Sequence, residues 1–149
     1  MLRDIDKEMK SAQHLLYVSL KYTRTGDVII NLMRRWANMI EFSLEEILIH
    51  AKKTKKLKII PHAPKLKQRA VIDIFKNNNT IKEIIALYSF FRKVDKLQNI
   101  RSNEFRKNVA LIILDEGKEV IINMEKLKEW EKLLNDFIKV MLNFLKNKK

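Results

Sequence analysis

Apolar residues recur at intervals of three and four over most of this chain, the spacing that gathers them on one face of an α-helix. Over residues 3–21 the series is Ile5, Met9, Ala12, Leu16 and Leu20, with charged residues between them. Thr23-Arg24-Thr25-Gly26-Asp27 interrupts it; Gly26 suits a helix end, and Asp27 can cap the next start. Residues 28–53 then carry Ile29, Leu32/Met33, Trp36, Ile40, Leu44, Ile47/Leu48 and Ala51. That stripe exceeds six turns and must be buried along its length. A connection this short sets the two helices antiparallel.

Pro61 and Pro64 forbid an uninterrupted helix after residue 53, so an exposed basic loop is predicted there. Residues 65–76 resume as a short helix with Leu66, Ala70, Ile74 and Phe75 inward. After Asn77-Asn78-Asn79, Thr80-Ile81-Lys82-Glu83 reads as a capping box. It opens a helix carrying Ile81, Ile84/Ile85, Tyr88, Phe91 and Leu97. The period then changes. Val109–Leu114 is a short run rich in β-branched residues, Asp115-Glu116-Gly117 fits a three-residue turn, and Glu119–Ile122 returns as a second strand. Asn123 caps a last helix with Leu127, Trp130, Leu134, Phe137/Ile138, Met141 and Leu145, and Lys146, Lys148 and Lys149 suit its C-terminal dipole end. The pattern predicts a mainly α, single-domain protein: an antiparallel bundle of about five helices with a β-hairpin before the C-terminal one.

Composition agrees with helices. Gly and Pro occur only twice each in 149 residues, too few for a turn-rich sheet fold. The chain has no Cys, which excludes disulfides, thiolate metal sites and a cysteine nucleophile. No stretch approaches the roughly 20 apolar residues of a membrane span, and the charged start has no signal-peptide character. A cytoplasmic protein without membrane contact is predicted. The net charge of +13 is unevenly placed. Residues 50–76 hold nine Lys/Arg against Asp73 alone, while residues 1–49 balance at zero. Such a focus attracts RNA or another polyanion, or else is a solvated, solubilising loop.

The candidate chemistry is sparse. His14, His50 and His62 show no HxxH, HxxxH or HExxH spacing, so no metal is predicted, and His14 reads as a satisfied histidine at the core edge. There is no phosphate-binding glycine loop and no nucleophile elbow, so no cofactor is predicted. Arg34 and Arg35, beside Trp36, read as a solvated face with intrahelical partners Asn38 and Glu41. Lys52, Lys53, Lys55, Lys56, Lys58, Lys65, Lys67 and Arg69 offer diffuse phosphate contacts, with no aromatic residue among them for base stacking. Arg101-Ser102-Asn103-Glu104-Phe105-Arg106-Lys107-Asn108 crowds charged and amide groups around one phenylalanine. Read as a helix, it sets Arg101, Glu104 and Asn108 on one face. Arg101, Arg106 and Lys107 could contact phosphate, with Glu104 and Asn108 positioning them; the plainer reading is a closed helix end.

Residues 3–108, with their paired long helices and the Arg101-Ser102 start of the polar segment, resemble the HEPN class of helical domains. That class implies a bundle of four or more helices, commonly a homodimer, associated with RNA cleavage, toxin–antitoxin pairs or minimal nucleotidyltransferases. Its active members carry an Arg, usually a polar residue, and then a His four to six residues on. Here position 108 is Asn108, which cannot shuttle a proton near neutral pH. The Glu104-Phe105-Arg106 stretch before a hairpin and last helix also resembles an uncharacterised archaeal family. Together these imply a non-catalytic nucleic-acid-binding or regulatory protein, with RNA as the expected partner. The alternatives are a metal-independent ribonuclease that recruits His14 or His62 to Arg101, and a protein-interaction scaffold.

Overall fold

A computed structural model describes residues 2–147, so Lys148 and Lys149 lie outside the described residues. The first helix, α1, runs as an α-helix over Leu2–His14, passes through a π-helical segment at Leu15–Ser19 and finishes with a turn at Leu20–Tyr22. Ile5, Ala12, Leu16 and Leu20 are buried along it, as the period requires. The long helix α2 spans Gly26–Lys53 and buries every residue of its expected stripe. Gly26 is thus the first residue of α2 and not the end of α1. The N-cap is Thr25, whose hydroxyl accepts from the Val28 N–H at 3.4 Å, and Asp27 lies inside the first turn. Lys52 and Lys53 belong to the last turn of α2, where cations complement the helix dipole.

Helix α3 covers Pro64–Ile74, with Pro64 in the first turn where its missing N–H costs nothing. Val71 is its fully buried residue, and Ala70, Ile74 and the following Phe75 pack partly buried against the core as expected, while Leu66 is exposed. Helix α4 spans Asn79–Lys93 and continues as a 3-10 turn over Val94–Lys96, so Leu97 lies beyond it. Its cap is Asn78, whose side-chain Oδ1 accepts from the Ile81 N–H at 3.2 Å. That bond displaces the expected capping box and leaves Thr80 within the helix. The last helix, α5, covers Met124–Lys146, and Asn123 caps it by accepting from the Lys126 N–H at 2.8 Å. On α5, Phe144 is the buried residue of the final turn, with Leu145 partly covered.

Between α4 and α5 lies a three-stranded antiparallel sheet in the order β1-β2-β3: Asn99–Ser102, Ala110–Asp115 and Lys118–Asn123. The hairpin forms as expected, but Asp115 pairs with Lys118, leaving a two-residue turn. Glu116 and Gly117 there have φ of 51° and 79°, the doubly positive backbone of a type I′ turn. Strand β1 is a correction to the helical reading of Arg101–Asn108. Arg101 and Ser102 pair with Leu111 and Ala110, and residues 103–108 turn back toward β2.

Helix α2 is the axis of the bundle. Glu8 of α1 meets Arg35 and Asn38 of α2, so these helices run antiparallel; Asp95 meets Arg34 and Arg92 meets Glu41, which orients α4 likewise. The partners of Arg35 therefore lie on a neighbouring helix, and those of Arg34 are Asp95 and, within α2, Asn31 rather than Asn38 or Glu41. Trp36 stacks 6.0 Å from Phe91, whose ring meets Trp130 edge-on at 5.4 Å, tying α2, α4 and α5 together. The inner face of the sheet adds Leu111, Ile113 and Ile122 to the same core.

Candidate functional site

The polar segment after residue 100 is built against the start of α2. Strand β1 aims Arg101 at Gly26: a Cβ placed on Gly26 would sit 3.1 Å from Arg101 Cγ and 3.2 Å from its Cδ. A glycine is what lets the arginine stem lie so close. The guanidinium then donates to Asp27 Oδ1 at 2.7 Å. That hydrogen bond, aided by its charge, holds the Asp27 carboxyl below the usual carboxylate range and raises Arg101 in turn. Glu104 Oε2 accepts from the Gly26 N–H at 2.9 Å, satisfying a donor that the helix itself leaves unpaired. The Phe105 N–H donates to the Arg24 carbonyl at 2.6 Å. Arg101 and Glu104 thus clamp the α1–α2 corner. Arg106, Lys107 and Asn108 stand exposed on the turn.

The basic segment lies elsewhere. Its first lysines end the helix that Arg101 contacts at its beginning. At 1.5 Å rise per residue, the two ends of this 28-residue helix are about 40 Å apart. Lys67 pairs with Glu45 at 2.5 Å, and the Lys56 ammonium lies 5.1 Å from the centre of the Phe144 ring. Lys52, Lys53, Lys55, Lys58, Lys65 and Arg69 are exposed. The structure therefore does not unite this segment with Arg101, Arg106 and Lys107 in one site.

It gathers Lys107 with other residues. A cleft of about 220 Å³ opens between the end of α1, the turn before β2 and the start of α5. Leu16, Leu20, Val109 and Met124 form its apolar lining, and Lys21, Arg24, Lys107 and Lys128 bring four cations to it with no carboxylate among the lining residues. Tyr17 also lines it and is half exposed, its hydroxyl donating to Glu131. That bond, then burial and the Glu131 charge, raises the Tyr17 phenol. Two more aromatic residues stand outside the lining: Tyr22, one residue past Lys21, is 78% exposed, and Phe105, whose N–H meets the carbonyl of the lining residue Arg24, is 74% exposed.

Phe105 is also held at φ 68°, and Asn103 at φ 53°. Positive φ is ordinary for asparagine in a turn but strained for a bulky aromatic residue, typically by about 1–3 kcal/mol. The turn therefore spends conformational energy to present a phenylalanine to solvent. Sequence reasoning missed Tyr17, Lys21, Tyr22, Arg24 and Lys128, because they come from separate segments and each looks like an ordinary surface residue of its helix or loop.

The histidines stay apart. His50 Nε2 is hydrogen-bonded to the Asn147 carbonyl, His62 is exposed in the loop after α2, and His14 is exposed, not packed at the core edge. Among the described residues no group of three or more His, Asp or Glu side chains is placed to hold a metal ion. No described helix is long and apolar enough to cross a membrane. No family model, curated protein or solved structure matches the chain.

Proposed function

We propose that this protein is a non-catalytic single-stranded nucleic-acid-binding module, with RNA as its natural ligand. The reading rests on one observation: the cation-rimmed cleft beside the α1–α2 corner, lined by half-exposed Tyr17 and adjoining the turn that presents exposed Phe105. Nonspecific single-strand binding combines two chemistries, cations that follow the phosphates and aromatic faces on which bases stack. The 52–69 segment supplies only the first; the cleft supplies both. The likeness to HEPN domains is consistent with an RNA context and with a homodimer. The ribonuclease alternative has less support, since the neighbours of Arg101 are Gly26, Asp27 and Glu104.

Fluorescence anisotropy with a labelled single-stranded RNA, the matching DNA and an RNA duplex tests this. Single strands should bind more tightly than the duplex, and tightness should fall about 50-fold between 50 and 200 mM salt if four phosphates are engaged. Duplex binding as tight as single-strand binding, or single-strand binding that persists unchanged after Lys21, Arg24, Lys107 and Lys128 are all replaced by Gln, sinks the proposal. Loss of binding only when Lys52, Lys53, Lys55 and Lys58 are replaced moves the interface to the other end of α2. Shortening of the RNA during the assay selects the ribonuclease alternative.

A further inference from the structure

On the opposite flank of α1 lies a larger cavity, about 560 Å³, whose chemistry differs from the cleft. Six of its seven lining residues are polar: Ser11 and His14 from α1, with Asn31, Arg34, Arg35 and Asn38 from α2. The volume is ordinary for a small-ligand pocket. No carboxylate lines it. The acids that hold its arginines approach from outside: Asp95 takes Arg34 Nη2 at 2.9 Å and its Nε at 3.4 Å, while Glu8 takes Arg35 Nη1 at 3.2 Å. Glu8 is itself buried, and its second oxygen meets Asn38 Nδ2 at 3.5 Å. A buried carboxylate that orients a guanidinium and an amide is a fixed support and not a flexible surface pair.

A guanidinium carries five N–H donors. Arg34 uses three, two toward Asp95 and one toward Asn31, and Arg35 uses one, toward Glu8. Two donors remain on Arg34 and four on Arg35, beside the Ser11 hydroxyl, the Asn38 amide and the His14 ring. The His14 ring stands where α1 passes from α to π geometry, a local irregularity frequent at functional sites. Donors this numerous, on two planar forks, suit a group with many acceptor oxygens; Arg forks match phosphate in this way. No Phe, Tyr or Trp side chain lines the cavity.

We infer that this cavity binds a small phosphomonoester, gripped by Arg34 and Arg35 with Ser11, His14 and Asn38 completing the donor set. The site is independent of the nucleic-acid cleft, which shares none of its residues. Its ligand is a compact phosphorylated metabolite, because six of the seven lining residues offer hydrogen-bonding groups.

The test is an NMR titration of the isotope-labelled full chain with glycerol 3-phosphate, inorganic phosphate and succinate. Saturable shifts in the signals of Ser11, His14, Asn31 and Asn38 with the phosphate compounds, and at least tenfold weaker binding of succinate, are expected. Arg34→Gln should weaken glycerol 3-phosphate at least tenfold; the exposed partner Asp95 makes it a safe variant for folding, which the same spectra report. Arg34→Lys, which keeps the charge and loses the fork, should recover only part of that loss. Lys21→Gln with Lys128→Gln should change nothing at this cavity. Equal binding of succinate, full recovery with Arg34→Lys, or phosphate shifts confined to residues 52–69 would each overturn the inference.

Discussion

The two ends of α2 carry the same sign of charge and differ in everything else. At its C-terminal end, lysines follow one another in sequence, and the structure disperses them. Lys52 and Lys53 complement a helix dipole, Lys56 lies on a phenylalanine, and Lys67 pairs with Glu45. At its N-terminal end, four cations from three separate stretches are brought to one cleft lined by the half-exposed ring of Tyr17. A run of charge in sequence measures solubility and long-range attraction. A set of charges assembled by the fold around a shaped surface is evidence of a site. The comparison moves attention away from the most basic segment of the chain.

Neutralising each end of α2 in turn separates the two. Replacing Lys21, Arg24, Lys107 and Lys128 by Gln should cost about 50-fold or more in single-strand affinity near 50 mM salt, measured by anisotropy. Phe105→Ala should weaken binding by about 1–3 kcal/mol, the usual worth of one stacked base, with no loss of thermal stability. Glu104→Ala removes the acceptor from the Gly26 N–H and should destabilise the fold by about 1 kcal/mol in a denaturant titration, since α2 loses a cap-like bond. Acid should act at the same corner. The folded-state carboxyl of Asp27 titrates below its unfolded value, so the Arg101 contact stabilises above about pH 4 and is lost as pH falls through the lower, folded value. An Asp27→Asn variant should therefore show a shallower stability decline than the parent below pH 4. The smallest effect is expected at the other end of α2: Lys52, Lys53, Lys55 and Lys58 changed to Gln should lower affinity less than about threefold, as screened, distant charges do.

The helices were legible because each buries one face for several turns, so periodicity carries the signal even where the caps were misplaced. Asn78 in place of Thr80, and Thr25 in place of Asp27, show how weakly a cap is encoded when several Asn, Asp and Thr residues stand together. Strand β1 was illegible for a different reason. Asn99-Ile100-Arg101-Ser102 is short, mostly exposed and holds one apolar residue, so it has no alternation to read. It is a strand because β2 offers an edge, which is a tertiary fact. Arg101 and Glu104 were recognised as a structural cluster, but their partners were not, since Gly26 and Asp27 lie more than seventy residues away in sequence. The cleft and the cavity were illegible for the same reason: the cavity exists only after α1 has docked on α2, and the cleft only after α1 has met the turn before β2 and the start of α5.

The π-helical segment Leu15–Ser19 sets the angular phase of α1. In it the Leu20 N–H reaches back to the Leu15 carbonyl, five residues earlier, so the segment holds one residue more than an α-turn would. Each residue turns an α-helix by about 100°. The widened turn absorbs the extra residue, so deleting Val18 would restore α spacing and leave the two parts of α1 in the same relative phase. A helix that kept every residue in α geometry would instead turn one part against the other by about that angle: with Ile5 and Ala12 held in the core, Lys21 would rotate off the cleft. One extra residue thus acts as a phase shifter that keeps Leu16 and Leu20 in the core while Tyr17 and Lys21 reach the cleft.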